Sequence, residues 1–313
     1  MLYSFVVPIY NDAYLAEAFC EEFQNVFTGY LNTENIKEST ELIFVNDGSP
    51  NNSWEVLKNL TKRFDFIKLI DLSRNFGQHI ALSCGYQEAQ GQYVGMLNVD
   101  MQDPPSQIPK MLDILITEDV DFVLGLREIR NSSVIDKTTS RLFNWVLNKA
   151  TSQNIPVNSS TLRIMNRKFV NAYNSLNEKK RFIPALENWL GFKHKYVAIT
   201  HQSRVDNKSS YNFRKRLDMA SDAIISFSDL PLKMTITGGF FVSFVSVLFI
   251  LIIIVSKLLS KDFLPGYVSI VSLITFLFGI QMIVIGIAGL YIGKIWYQVQ
   301  DRPFYLIREK INY

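Results

Sequence analysis

The sequence of 313 residues lacks most features that mark zinc-binding, disulfide-stabilised or nucleic-acid-binding proteins. It has only two cysteines, Cys20 and Cys84, and three histidines, and none of them has the spacing of zinc ligands. We therefore expect no disulfide framework, which fits a reducing compartment. The net charge of +3 is too small to predict a nucleic-acid partner. The opening MLYSFVVPIYND has no basic leader, so no signal peptide is expected there.

Both common glycine-rich phosphate-binding motifs are missing as well. No G-x-G-x-x-G follows the first strand-like segment, and no G-x-x-x-x-G-K-[ST] occurs in the chain. A phosphorylated ligand would therefore have to be held by side chains, with or without a metal ion.

Charge is absent from two long segments near the carboxyl end, 234–256 and 263–293. A helix of 23 residues is about 34 Å long, enough for a hydrocarbon core of roughly 30 Å. We therefore predict two transmembrane helices within 233–293, at about 234–256 and 267–293, in preference to two buried helices of a soluble domain. Lysines and arginines flank both ends, which favours cytoplasmic termini and a cytoplasmic tail over 294–313.

The segment 204–232, just before the first predicted span, is basic and then amphipathic. It reads RVDNKSSYNFRKRLD followed by MASDAIISFSDLPL. This pattern predicts an interfacial helix whose basic residues face anionic lipid, although an ordinary solvated basic face has the same composition.

Residues 1–130 alternate between strand-like and helix-like segments. The strand-like segments are LYSFVVPIY, ELIFVND, FIKLIDLS, GQYVGMLNVD and VDFVLGLR, and amphipathic helical patterns lie between them. Such alternation predicts an α/β fold with a mostly parallel sheet and helices on both faces. Because each strand ends in polar residues, we expect those residues to gather at one edge of the sheet, where ligands bind in such folds.

Five segments in this order carry a resemblance: VVPIYND, FVNDGS, LSRNFGQHIAL, NVDMQDPP and SFSDLPL. Together they resemble the family 2 glycosyltransferases, and most closely the polyprenyl-phosphate branch with bactoprenol glucosyltransferases and dolichol-phosphate mannose synthase. The resemblance covers nearly the whole chain. It implies a GT-A domain over 1–203, a nucleotide-sugar donor, Mg²⁺ or Mn²⁺, a polyprenyl phosphate acceptor and a homo-oligomer.

The resemblance also implies roles for individual positions. The nucleotide sugar is expected at Pro8, Tyr10, Asp12, Val45, Asp47, Asn98, Val99 and Arg127. The metal is expected at Asp100 and Gln102, with Asp100 catalytic; a further catalytic role, on a phosphate, falls to Arg163. The acceptor phosphate is expected at Arg204 and Lys208.

Asp100 and Gln102 suit a hard cation, because such ions take carboxylate and carbonyl oxygens. On an extended strand the two residues would share one face, and a turn at the strand end would alter this. Asp103 is expected to cap the following helix. Asn98 stands where the resembled family has an acid, so we expect one charge fewer at the metal. The alternative for all four residues is that they simply end a strand and cap a helix.

Thr161 also replaces a family acid, a candidate general base, and a threonine does not accept a proton at neutral pH. A hydroxyl acceptor would need such a base, whereas a phosphate monoester, with a second pKa of about 6, would not. We therefore expect an inverting, metal-dependent transfer of a sugar from a UDP- or GDP-linked donor to undecaprenyl phosphate at the cytoplasmic face of the inner membrane. Transfer to a lipid-linked hydroxyl, or an impaired relative that scaffolds glycan assembly, are the alternatives.

Overall fold

The computed structural model describes residues 1–127, 156, 158–179, 181, 183–200, 230–259 and 266–313. The chain divides into two compact units. The described part of the first unit contains the sheet, and that of the second contains two long helices.

The first unit is built on an eight-stranded sheet. In chain order its strands are β1 Tyr3–Ile9, β2 Thr40–Asn46, β3 Ile67–Leu72, β4 Tyr93–Met96, β5 Phe122–Arg127, β6 Ser159–Asn166, β7 His194–Ile199 and β8 Ile307–Ile311. Their spatial order is β7-β5-β6-β4-β1-β2-β3-β8. Strands β1 to β4 are all parallel to their neighbours within that group, as the sequence pattern predicts.

Strand β1 lies at the centre of the sheet, between β2 and β4. Its residues are almost all buried, which explains why the run reads as continuously apolar. Pro8 is tolerated in this central strand because its nitrogen points toward β4, whose pairing with β1 ends earlier, at Val6 and Met96.

Six helices of the first unit lie in the described residues. They are α1 Ala16–Leu31, α2 Ser53–Leu60, α3 Gln78–Glu88, α4 Ile108–Thr117, α5 Arg167–Asn174 and α6 Ile183–Leu190. Helix α1 buries Phe19, Phe23 and Phe27, spaced by four residues, and the rings of the last two pack edge-on against Phe5 of β1 at 5.3 and 5.1 Å. This aromatic cluster fixes α1 across the sheet.

The other half of the sheet is mixed, which the sequence pattern did not predict. Strand β6 is antiparallel to both β4 and β5, and β7 is parallel to β5. The two strands β6 and β7 were missed because their segments do not show a clean apolar run or alternation. Residues 204–229 of the segment predicted to form an interfacial helix lie outside the described residues.

The carboxyl-terminal segment differs from the predicted cytoplasmic tail over 294–313. Residues 302–313 belong to the first unit, where β8 pairs antiparallel with β3 as an edge strand. Three of its five residues are charged and exposed, as is common on edge strands, so the segment IREKI carries no period-two hydrophobic signal.

The second unit contains α7 Leu230–Leu259 and α8 Tyr267–Val299. Among the described residues, one stretch is long and apolar enough to cross a membrane: Phe276–Val299, 24 residues and about 36 Å as a helix. The first predicted span, over about 234–256 within α7, stays a prediction.

Candidate active site

The polar ends of β1 and β4 meet at the point where the strand order reverses. From β1 the chain moves outward to β2 and β3, and then returns to place β4 on the other side of β1. Ligands of open α/β sheets bind in the crevice beyond such a switch point. Tyr10, 48% exposed, follows β1 here, and its backbone N–H donates to the Asp12 carboxylate at 3.0 Å.

Asp47, at the end of β2, holds the neighbouring loop 73–77 in place. Its carboxylate accepts the backbone N–H groups of Phe76 at 2.7 Å and Gly77 at 2.9 Å. The loop approaches so closely that a Cβ on Gly48 would lie 2.3 Å from the Arg74 backbone, and Gly48 has a left-handed φ of 61°. Burial raises the pKa of Asp47, which is 3% exposed. Its carboxylate therefore organises a loop here, and the predicted contact of Asp47 with the nucleotide sugar stays a prediction.

Asn46 also forms hydrogen bonds within the protein, in a network that extends to β8 near the carboxyl terminus. Its side-chain N–H donates to Asp71 at 2.7 Å, and Arg308 of β8 donates to the other Asp71 oxygen at 2.9 Å. Arg308 donates in addition to the Ser73 carbonyl at 2.7 Å. Asp71 is fully buried, so the guanidinium of Arg308 compensates the negative charge of this carboxylate at the edge of the sheet. Neither Asp71 nor Arg308 was singled out from the sequence, since each lacks a recognisable motif.

The predicted metal ligands lie on a turn beyond β4. The strand ends at Met96, and Met101, between Asp100 and Gln102, has a left-handed φ of 53°. A turn therefore replaces the extended strand on which the two side chains would share one face. The backbone N–H of Gln102 donates to Asp100 Oδ1 at 3.2 Å, and both side chains are half-buried.

This donor set fits a hard cation only if other ligands complete it. One carboxylate and one amide oxygen are the right ligand types for Mg²⁺ or Mn²⁺, which commonly use one or two carboxylates with substrate phosphates. No group of three or more histidine, cysteine, aspartate or glutamate side chains suited to a metal occurs in the part of the chain that the structure describes.

Asp103 is the centre of a buried polar network that joins three strand ends. Its carboxylate accepts from Arg127 at 3.0 and 3.3 Å, from the Ser160 hydroxyl, and from Thr161 Oγ1 at 3.3 Å. It is 3% exposed. The expectation of a simple helix cap misses this role, because its partners are more than 20 positions away in sequence.

Arg127 was expected to contact the nucleotide sugar. Its guanidinium instead pairs with Asp103, while its side chain keeps 30% exposure. The exposed part lies at the end of β5, so contact with a ligand stays a proposal.

Arg163 does not fit the predicted contact with a phosphate. It is 4% exposed and forms an ion pair with buried Glu187 at 2.6 Å. Its remaining donors bind the carbonyls of Thr161 at 3.1 Å and Ser160 at 3.3 Å. Burial raises the pKa of Glu187, and the adjacent guanidinium opposes that rise. Arg163 thus supports the backbone that carries the Asp103 network.

The remaining predicted positions divide into two groups. The side chains of Val45 and Val99 lie in the core, 0% and 1% exposed, so a ligand could reach only their backbone. Pro8 is half-buried at the end of β1. Arg204 and Lys208 lie outside the described residues.

Comparisons with known proteins show the family to which the chain belongs. Residues 4–173 match the family model "Glycosyl transferase family 2". The chain is 32% identical over 308 residues to the uncharacterized glycosyltransferase YkcC of Bacillus subtilis (strain 168), covering 98% of this chain and 93% of that protein. It is 31% identical to the SfII prophage-derived bactoprenol glucosyl transferase of Shigella flexneri, with 99% and 98% covered. It is 28% identical to the undecaprenyl-phosphate 4-deoxy-4-formamido-L-arabinose transferase of Proteus mirabilis (strain HI4320), with 99% and 94% covered.

The mostly parallel sheet with its switch point beside β1 agrees with the GT-A fold expected from the sequence. The chain belongs to the glycosyl transferase family 2 and is a glycosyltransferase.

Proposed function

We propose that the protein transfers a sugar from a UDP- or GDP-linked donor to polyprenyl phosphate at the cytoplasmic face of a membrane. The observation that carries the proposal is the near full-length similarity to two transferases whose names specify bactoprenol or undecaprenyl phosphate. The long apolar helix α8 supports it, because a polyprenyl phosphate stays in the bilayer and its phosphate lies at the headgroup level.

The donor would bind in the switch-point crevice. Tyr10 offers an exposed ring beyond β1 for the base, and loop 73–77, held by Asp47, forms the neighbouring wall. Asp100 and Gln102 would hold Mg²⁺ or Mn²⁺ together with the donor diphosphate. When bound, that cation would stabilise the negative charge on the leaving nucleotide diphosphate.

The reaction would be an in-line displacement with inversion. An oxygen of the lipid phosphate forms a bond to the anomeric carbon, and the bond from that carbon to the nucleotide diphosphate breaks. No proton has to be removed from the acceptor, because a phosphate monoester is largely a dianion at pH 7.

The hydrogen bonds around Thr161 favour a phosphate acceptor over a hydroxyl. Thr161 stands where a base would be needed, and its hydroxyl is held between Asn98 and Asp103. Asp103 is itself occupied by Arg127, Ser160 and Thr161. Neither residue is placed to accept a proton from an attacking hydroxyl.

The test is an assay of the full chain in membranes with undecaprenyl phosphate and a panel of nucleotide sugars, with and without EDTA. We expect a mass-shifted phospholipid from one donor, lost when EDTA is added. A product formed only on a lipid-linked hydroxyl would contradict the proposed acceptor. No transfer from any donor by correctly folded protein would favour a scaffolding role.

A further inference from the structure

A directed chain of hydrogen bonds crosses the ends of β4, β5 and β6 beside the proposed donor site. It begins at Arg127, which donates to Asp103, and continues to Thr161, whose Oγ1 lies 3.3 Å from Asp103 Oδ2. Asn98 Nδ2 lies 3.0 Å from the same threonine oxygen. At the far end, Gln78 Nε2 of α3 lies 3.3 Å from Asn98 Oδ1.

The direction of each bond follows from the groups involved. A carboxylate only accepts, so the single hydroxyl hydrogen of Thr161 points to Asp103. The threonine oxygen must then accept, and the amide nitrogen of Asn98 is the donor it faces. The reversed amide would set Asn98 Oδ1 against an oxygen whose hydrogen is already committed, which leaves two acceptors in contact.

The orientation of Asn98 is therefore set by Thr161 and, through it, by the buried charge of Asp103. Asn98 is half-buried and lies two residues before Asp100, at the switch point. Its carbonyl oxygen points away from β6 and toward the start of α3. This oxygen accepts from Gln78 and has a second lone pair, so a hydroxyl that enters the crevice would meet an uncharged acceptor.

We propose that Thr161 is a positioning residue for donor binding: it locks the Asn98 amide so that Oδ1 accepts a hydrogen bond from a hydroxyl of the nucleotide sugar. The inference rests on the proposed function, and it gives a role to the position where a general base is missing. The hydroxyl belongs either to the ribose or to the transferred sugar.

The test uses calorimetric titration of the full chain in detergent with UDP, UDP-glucose, GDP and GDP-mannose, each with Mn²⁺. Thr161→Val keeps the shape of the side chain and removes its hydroxyl. We expect it to weaken nucleotide binding about 2- to 10-fold, the range for one neutral hydrogen bond. Thr161→Ser should restore binding to within about twofold of the wild type.

Two further variants separate positioning from a general loss of stability. Thr40→Val is the matched control, because Thr40 is a buried threonine at the opposite end of the sheet whose hydroxyl has no partner among the described residues. It should leave nucleotide affinity unchanged. The double variant Thr161→Val with Asn98→Ala should bind nucleotide no more weakly than Asn98→Ala alone. Each change removes the same interaction, the hydrogen bond that Asn98 Oδ1 accepts from the ligand.

The outcomes are distinct. Weakening with the bare nucleotides assigns the hydroxyl to the ribose, and weakening confined to the sugar nucleotides assigns it to the sugar; both support the inference. Wild-type affinity in Thr161→Val, no rescue by serine, or additive losses in the double variant would overturn it. A wild type that binds no nucleotide would overturn the proposed function itself.

Discussion

The ion pair between Arg163 and Glu187 offers the sharpest test of a structural assignment, because the sequence had predicted a catalytic arginine at this position. Both side chains are about 5% exposed or less, and their charged atoms are 2.6 Å apart. Glu187→Ala would leave the guanidinium buried with only two backbone carbonyls as partners. Breaking a buried pair from one side costs about 3–5 kcal/mol.

Replacing both partners by apolar residues should cost less than that. The double variant Arg163→Met with Glu187→Leu removes the unpaired charge, and such replacements are often close to neutral in stability. In a domain of this size, 1 kcal/mol corresponds to a shift of roughly 2–4 °C in melting temperature. We therefore expect Glu187→Ala to lower the melting temperature by about 6–20 °C and the double variant to recover much of that loss.

The assay is thermal unfolding of the detergent-solubilised protein, followed by tryptophan fluorescence, with nucleotide binding measured in parallel at low temperature. If Arg163 supports the backbone of β6, the double variant should still bind nucleotide. A double variant that melts lower than Glu187→Ala, or that folds well and binds no nucleotide, would refute this reasoning.

Two more predictions concern the first unit. Arg308→Met should lower the free energy of unfolding by about 1 kcal/mol, because buried Asp71 loses its ion partner while the arginine side chain was 60% exposed; chemical denaturation that shows no loss would contradict this. Burial lowers the pKa of His79 to about 4, with a smaller effect from Arg163. Between about pH 6.5 and 4, His79 therefore binds a proton in the unfolded chain and stays neutral in the folded chain. Stability should fall between pH 6.5 and 4, by at most about 3 kcal/mol, and His79→Gln should flatten that part of the profile in pH-dependent denaturation. An unchanged profile would show that His79 is not the group responsible.

The first four strands were predictable because central parallel strands are buried on both faces. Segments such as FVVPI of β1 and LIFV of β2 read as apolar runs ended by polar residues. Strands β6 and β8 were not predictable, since β6 mixes polar and apolar residues where it meets the site and β8 is a charged edge strand. In both, tertiary pairing outweighs the local pattern.

Within the site, the sequence placed most candidate residues at the correct edge of the sheet but not their partners. Asp103 could be placed after β4, yet its bonds to Arg127 and Thr161 join positions 24 and 58 residues away. Arg163 was predicted to reach a phosphate because burial cannot be read from a motif; its partner Glu187 lies on α6. The loop-holding role of Asp47 likewise depends on the close approach of Arg74 to Gly48.

The most direct test of the central claim is sugar transfer to undecaprenyl phosphate by Asp100→Ala at saturating Mn²⁺. Asp119→Ala is the matched control, since that carboxylate is 93% exposed and pairs at the surface with Lys193. We predict that the control keeps wild-type activity and that Asp100→Ala loses at least about 100-fold, equivalent to about 2.7 kcal/mol of transition-state stabilisation. Transfer by Asp100→Ala at the wild-type rate would contradict the account.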